Sequence, residues 1–292
     1  MAVAIVTDST HYLPADIVKT CGLHTVSLYV RWGDTLQRES DMANLQGFYA
    51  QLRSASDLPT TSQPSVGDFL ECYEPLLQAG HDVVSIHLSA GISGTYDSAL
   101  QAAVQLSERG HDRRVEVVDS RTVCGSLGLV LLAAAARARA GETDPQAVAE
   151  HALRAREAMR MWFSLDTLEY LRRGGRIGGA QAWVGSALKI KPIMSMESEV
   201  TPVERVRTAG RAFERMVSFM RTLHAEGADA WCVQHADALG PAQRLIERGH
   251  DIFGCEPLFV GQVGPVIGAH AGPGMIGIGA MPTGALEWRG PP

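Results

Sequence analysis

Short apolar runs alternate with amphipathic stretches through the first half of the chain. Ala2 to Thr7, Thr25 to Val30, Asp82 to Leu88 and Val115 to Val118 are rich in valine, isoleucine and leucine, which suits strands buried on both faces. Between them, about Pro14 to Thr20, Leu45 to Arg53, Ser65 to Gln78 and Thr95 to Glu108 repeat their apolar positions at the spacing of a helix with one buried face. This alternation predicts a mostly parallel sheet with flanking helices. Two strands end in the same dipeptide, Asp8-Ser9 and Asp119-Ser120, and a third ends near Ser89. Their polar ends then share one sheet edge, where ligands of open α/β folds bind.

Beyond Thr122 the pattern changes. An alanine- and leucine-rich helix runs to Ala140, and Asp144-Pro145 caps and opens another helix to about Arg160. A strand at Met161 to Leu165, a glycine-rich loop from Arg172 to Gly179, a hairpin of Pro192 to Met196 and Glu199 to Arg205, a long helix to about His224 and a final αβ region follow. They predict a second α/β unit with a mixed or antiparallel sheet, and divide the chain into domains 1–160 and 161–292. Gly80-His81-Asp82, Gly110-His111-Asp112 and Gly249-His250-Asp251 each follow a helical run, so the glycines read as left-handed C-caps and the histidines as turn residues.

A length of 292 residues fits two domains of ordinary size. The net charge of -6 argues against a nucleic-acid partner, which needs a basic face. Cys21, Cys72, Cys124, Cys232 and Cys255 are odd in number and contain no CxxC pair, as expected of reduced thiols in a cytoplasmic protein. The N-terminus reads as a first strand without a leader, and no apolar stretch is long enough to span a bilayer, so no stable membrane insertion is expected.

Two hydroxyl-bearing runs stand out. Ser93-Gly94-Thr95-Tyr96 falls on a strand-to-helix turn, where free N–H groups and the helix dipole attract a carboxylate or phosphate and Gly94 lets it approach. Ser93 equally suits an ordinary helix cap. Thr61-Ser62, followed by Gln63-Pro64-Ser65 and a helix, offers the same chemistry from another turn. No catalytic acid or metal ligand stands beside either run, so no catalytic residue, metal or cofactor is assigned. A serine hydrolase using Ser93 with His270 lacks its signature, because Gly91-Ile92-Ser93-Gly94-Thr95 ends in threonine where G-x-S-x-G needs glycine.

Gly272 to Gly277 fits G-x-G-x-x-G, but the following residues read as a strand and no acid follows at the required distance. These glycines instead read as a tight turn around His270, which is placed on a loop from Gly268 to Gly274. In the helix after the hairpin, Ala209, Ala212, Phe213, Met216, Val217 and Met220 share one face. Arg207, Arg211 and Arg221 cluster opposite, with Arg215 at the margin. Together with Arg172, Arg173 and Arg176 they read as a solvated stripe or as a surface for a phosphate or an acidic partner.

Taken in order, Val6 to Thr10, Thr61 to Ser65, Ser93 to Tyr96, Val118 to Ser120, Leu171 to Ile177 and Gly268 to Gly274 resemble the DegV family. The resemblance spans nearly the whole chain. It implies a bacterial fatty-acid-binding protein of two α/β domains, with the acyl chain of a long-chain fatty acid in a buried tunnel and its carboxylate at the domain junction. It further implies the binding subunit of a fatty acid kinase in phospholipid metabolism, presenting the carboxylate to a separate ATP-binding kinase subunit that makes an acyl phosphate. Carried over by motif, Thr61, Ser62, Ser93 and Gly94 hold the carboxylate, His270 lies beside it, and Arg176 and Arg207 face the kinase. Ile193, Met194 and Met196 are candidates for shaping the tunnel. The chain departs from the family in Gly178-Gly179 and in the alanines around His270. A serine-dependent lipid hydrolase or acyltransferase, and a lipid-responsive regulatory binding protein, are the alternatives.

Overall fold

The computed structural model of the chain describes residues 3–110, 113–183 and 190–288. Its first half runs β1 (Val3–Asp8), α1 (Ala15–Cys21), β2 (Leu23–Val26), β3 (Tyr29–Trp32), β4 (Thr35–Arg38), α2 (Leu45–Ser54), β5 (Thr60–Ser62), α3 (Val66–Gln78), β6 (Asp82–His87), α4 (Thr95–Glu108) and β7 (Val115–Asp119). Four of these strands form a parallel sheet in the order β2-β1-β6-β7. This is the sheet that the apolar runs predict.

The run from Thr25 to Val30, expected as one strand, is divided. Leu28 donates its N–H to Ser9 Oγ instead of a strand neighbour, and Ser27 Oγ accepts from the N–H of Ser40. The chain turns there, and β3 leaves the parallel sheet to pair antiparallel with β4 and β5 in a small second sheet. The segment Thr60–Ser62, expected as a turn, is therefore an edge strand with Thr61 opposite Val30.

Two helices follow, α5 (Cys124–Arg139) and α6 (Pro145–Ala158), and then β8 (Arg160–Ser164), α7 (Glu169–Arg173), β9 (Lys191–Glu197), β10 (Glu199–Val206) and α8 (Ala209–Ala225). The chain continues through β11 (Ala230–His235), α9 (Leu239–Phe253), β12 (Phe259–Gln262), α10 (Pro265–Ala271), β13 (Ile276–Met281) and α11 (Thr283–Leu286). Six strands build the third sheet in the order β10-β9-β8-β13-β11-β12, antiparallel except for the parallel pair β11 and β12. A mixed sheet is thus present, as expected, and the whole is a mixed α/β fold.

The helix α5 joins the two large sheets. Every residue from Cys124 to Ala135 is buried, matching a segment that is apolar or small all round. One side packs on β1 and the other on β11 and β13. Gly128 permits the close approach: a methyl there would lie 2.9 Å from Leu13 Cδ2 and 3.0 Å from Phe259 Cζ.

Two local expectations change, at Gly249 and along α8. Gly80 and Gly110 do end their helices with φ of 85° and 78°, but His111 lies outside the described residues. Gly249 ends nothing: it is buried inside α9 against Trp231 and Met220, whose side chains a methyl would overlap, and the helix continues to Gly254 at φ 70°. Along α8 the buried residues are Ala212, Met216, Val217, Phe219, Met220 and Leu223; Phe213 is half-buried and Ala209 exposed.

Candidate functional site

A cavity of about 950 Å3, counting its open mouth, lies where α5 faces the mixed sheet. Its walls are largely apolar, with Met161 and Phe163 from β8, Met196 from β9, Val200 from β10 and Val266 and Ile267 from α10. Its polar groups include Thr61 and Ser62 of β5, Gln63, Ser93, Arg176 and His270. The structure therefore gathers the two hydroxyl runs, an arginine and a histidine from segments far apart in sequence onto one cavity. Met194 is fully buried in the main core and Ile193, on the opposite face of β9, in the core beneath α8; of the three tunnel candidates only Met196 lines the cavity.

Each hydroxyl is held differently. Thr61 sits on its edge strand with Oγ1 2.7 Å from His270 Nε2. Ser93 precedes α4 and bonds its own turn, Oγ lying 2.8 Å from Thr95 Oγ1 and 3.3 Å from the Thr95 N–H it accepts. Gly94 occupies the N-cap position, which has no side-chain cap bond, and borders a groove beside the cavity with Ser93 and Arg176. A methyl on Gly94 would lie 3.0 Å from Gln63 Nε2. Glycine thus lets the Gln63 side chain lie across the start of α4.

His270 is not on a loop. It occupies the last turn of α10, and the chain reverses after it through Gly272 and Gly274, with φ of 74° and 91°. Burial, and secondarily the Arg176 guanidinium, push its imidazole down to about 4, so the ring is neutral at physiological pH. Its Nδ1 is buried without a partner among the described residues and abuts Gly174, where a methyl would overlap it. The favourable tautomer carries the proton on Nε2 and donates it to Thr61, which leaves the Thr61 hydroxyl hydrogen free for a ligand.

This arrangement differs from a hydrolase. Ser93 bonds to Thr95 and His270 to Thr61, so the nucleophile-to-base hydrogen bond is not formed. A Ser-His-Asp chain does exist elsewhere: Ser85 Oγ to His87 Nε2 at 2.7 Å and His87 Nδ1 to Asp8 Oδ2 at 3.1 Å. All three are 0% exposed, and Tyr73 donates to Ser85. Burial alone would raise the Asp8 carboxyl, but His87, Thr10 and the Leu88 N–H together hold it below its usual range. This chain of bonds ties β1 to β6 and lines no part of the cavity.

Arg176 is exposed at the mouth, where its guanidinium donates to the carbonyls of Ile92 (3.3 Å) and Gly174 (2.8 Å). Arg207 is exposed just before Thr208, which caps α8, and does not line the cavity. Arg172 pairs with Glu169, Arg173 donates to the Ser56 carbonyl and Arg215 pairs with Glu204.

One positioning residue escaped the sequence entirely. Glu39, 7% exposed, accepts from the Val266 N–H and the Tyr12 hydroxyl, both at 2.8 Å, and from Ser9. Tyr12 in turn accepts from the Ile267 N–H at 3.2 Å. These bonds fix the start of α10, the helix that carries His270. Burial pushes the Glu39 carboxyl up to about 7 against those hydrogen bonds.

Among the described residues no cluster of histidine, cysteine and acidic side chains could hold a metal ion, and no helix is long and apolar enough to cross a membrane.

Two large sheets joined through a buried helix, with a largely apolar cavity whose mouth carries hydroxyls, define the class: a two-sheet α/β protein with an amphipathic cavity. The family described as "Uncharacterised protein, DegV family" matches residues 2–283, and the chain belongs to the DegV family. It is 40% identical to a DegV domain-containing protein of Streptomyces coelicolor, over 94% of this chain and 97% of the relative. It is 33% identical to Protein DegV of Bacillus subtilis, over 95% and 98%. Among solved structures, that of DegV, a fatty acid binding protein from Bacillus subtilis, superposes with a TM-score of 0.86 at 33% identity, covering 96% of this chain and 99% of the other. A DegV family protein from Thermus thermophilus, described for its fatty acid binding, gives 0.86 at 32% identity, covering 97% and 100%.

Proposed function

We propose that the protein binds a long-chain fatty acid, its acyl chain in the cavity and its carboxylate at the mouth between Thr61 and Ser93, with Ser62, Gly94 and His270 beside it. In this reading it is a non-catalytic carrier in the cytoplasm, and it presents the carboxylate to a separate ATP-using kinase subunit for acyl-phosphate formation. Arg176 and Arg207 belong to the face offered to that subunit.

The observation that carries the reading is the division of the cavity. An apolar interior matches an alkyl chain, and the neutral hydroxyls at the mouth match a single charged head. The fatty acid binding of the Bacillus and Thermus relatives supports it. Burying an acyl chain contributes about 0.8 kcal/mol per CH2, whereas a hydrogen bond to a charged group contributes about 1.5–3 kcal/mol, so the tail supplies affinity and the hydroxyls orientation. A carboxylate held by the Thr61 and Ser93 hydroxyls keeps its charge, because these donors share hydrogen bonds with it without giving up a proton. Its oxygen stays available to attack a phosphoryl group.

Native mass spectrometry of the purified protein, before and after delipidation, tests this. A co-purified or re-bound fatty acid at one per chain is the expected result. A delipidated protein that takes up none of the long-chain acids offered would overturn the reading.

A further inference from the structure

A second polar locus lies on the wall of the same cavity, at the start of α5. Cys124, Gly125 and Ser126 line the cavity there, together with Cys232, Gln234 and Gly279. The helix has 16 residues, and its N-cap residue, Val123, offers no side-chain acceptor. A helix start leaves first-turn N–H groups without intrahelical partners and carries the positive end of the dipole. Gln234 Oε1 takes up the N–H of Gly125.

Ser126 supplies an independent observation. It is 2% exposed and lines the cavity, and its hydroxyl makes no hydrogen bond among the described residues. Room for that hydroxyl comes from Gly279, where a methyl would lie 2.9 Å from Ser126 Oγ and 3.5 Å from Cys232 Sγ. The thiols offer it little: burial pushes Cys124 up and Cys232 to about 12, so both are neutral and weak hydrogen-bonding partners. A plain methylene chain passing this wall leaves the Ser126 hydroxyl unmatched, which is unfavourable.

Resting on the fatty-acid reading, we propose that Ser126 and the start of α5 form a second ligand subsite, one that accepts a hydroxyl group carried on the acyl chain. The preferred ligand is then a hydroxylated long-chain fatty acid. Ser126 can donate to or accept from such a group, and the dipole of α5 favours the oxygen facing it.

Isothermal titration of the delipidated protein with stearate and with a series of monohydroxystearates, the hydroxyl walked along the chain, tests the subsite. One position, or two adjacent ones, should bind about tenfold more tightly than stearate, the worth of one hydrogen bond to a group otherwise unmatched. In Ser126→Ala the ratio of hydroxylated to plain affinity should fall to about one. Stearate binding with a flat series, or an advantage that persists in Ser126→Ala, would overturn the subsite and leave the fatty-acid reading standing. Failure of every member to bind would overturn both. The positional series is read on the unaltered protein, so it decides the matter even if the variant does not fold.

Discussion

Thr61 is the residue on which the mouth of the cavity turns. Its Oγ1 lies 2.7 Å from His270 Nε2, and in the tautomer that protonates Nε2 its own hydrogen is free, so in the proposed complex one side chain links the ring to the ligand. Replacing it with valine keeps the shape and removes both bonds. Fatty-acid affinity should then drop by roughly tenfold to a hundredfold, in line with a lost hydrogen bond to a charged group; titration calorimetry showing no change would move the carboxylate elsewhere. The two arginines separate in the same terms. Arg207→Glu, on an exposed turn away from the cavity, should slow acyl-phosphate formation by a kinase partner while fatty-acid affinity holds. Arg176→Glu should lower both, because its guanidinium binds the carbonyls of Ile92 and Gly174 at the mouth. Equal behaviour of the two variants in paired binding and phosphorylation assays would refute that division.

At the scale of elements, α10 shows how a site is aimed from a distance. Glu39 and Tyr12 hold its first N–H groups, and His270 stands in its last turn. The Glu39 carboxyl is raised from 4.5 to about 7 in the folded protein. Folding therefore favours the protonated form: the contribution to stability is complete below pH 4.5 and is lost as pH rises through about 7, a change of about 3 kcal/mol at 1.36 kcal/mol per unit. Denaturant titrations between pH 5 and 8 should show this slope in the wild type and its loss in Glu39→Gln; identical slopes would exclude Glu39 as the titrating group. The elements themselves were largely legible, because buried parallel strands and amphipathic helices leave periodic traces. The Ser93 turn could be read because strand, glycine and helix are contiguous. Gly249 misled because a glycine that accommodates Trp231 looks the same in sequence as one that ends a helix. The Glu39 to Val266 bond joins residues with no local pattern in common, and His270 acquires its partner from a strand whose pairing depends on the turn at Leu28.

The whole molecule is organised around α5, and this bears on how its halves behave. The parallel sheet draws on residues 3–119 and the mixed sheet on residues 160–281. Their packing is shared: one continuous apolar core includes Ile5 and Ile86 from the first sheet, Leu127 to Ala135 from α5, and Phe163, Cys232 and Phe259 from the second. An isolated segment 1–160 would expose the side of α5 that faces β11 and β13, and an isolated segment 161–292 would expose those strands. Contiguous apolar surface of that kind is unfavourable in water and promotes association. We therefore expect the two halves to unfold in one transition. Far-ultraviolet circular dichroism and the tryptophan fluorescence of a Trp32→Phe variant, whose remaining tryptophans all lie in the second half, should give coincident denaturation curves. Leu131→Ala, at the centre of the shared helix, should move both curves together by a destabilisation of about 2–5 kcal/mol. Two separated transitions, only one of them shifted by the substitution, would show instead that each sheet retains its own cooperative core.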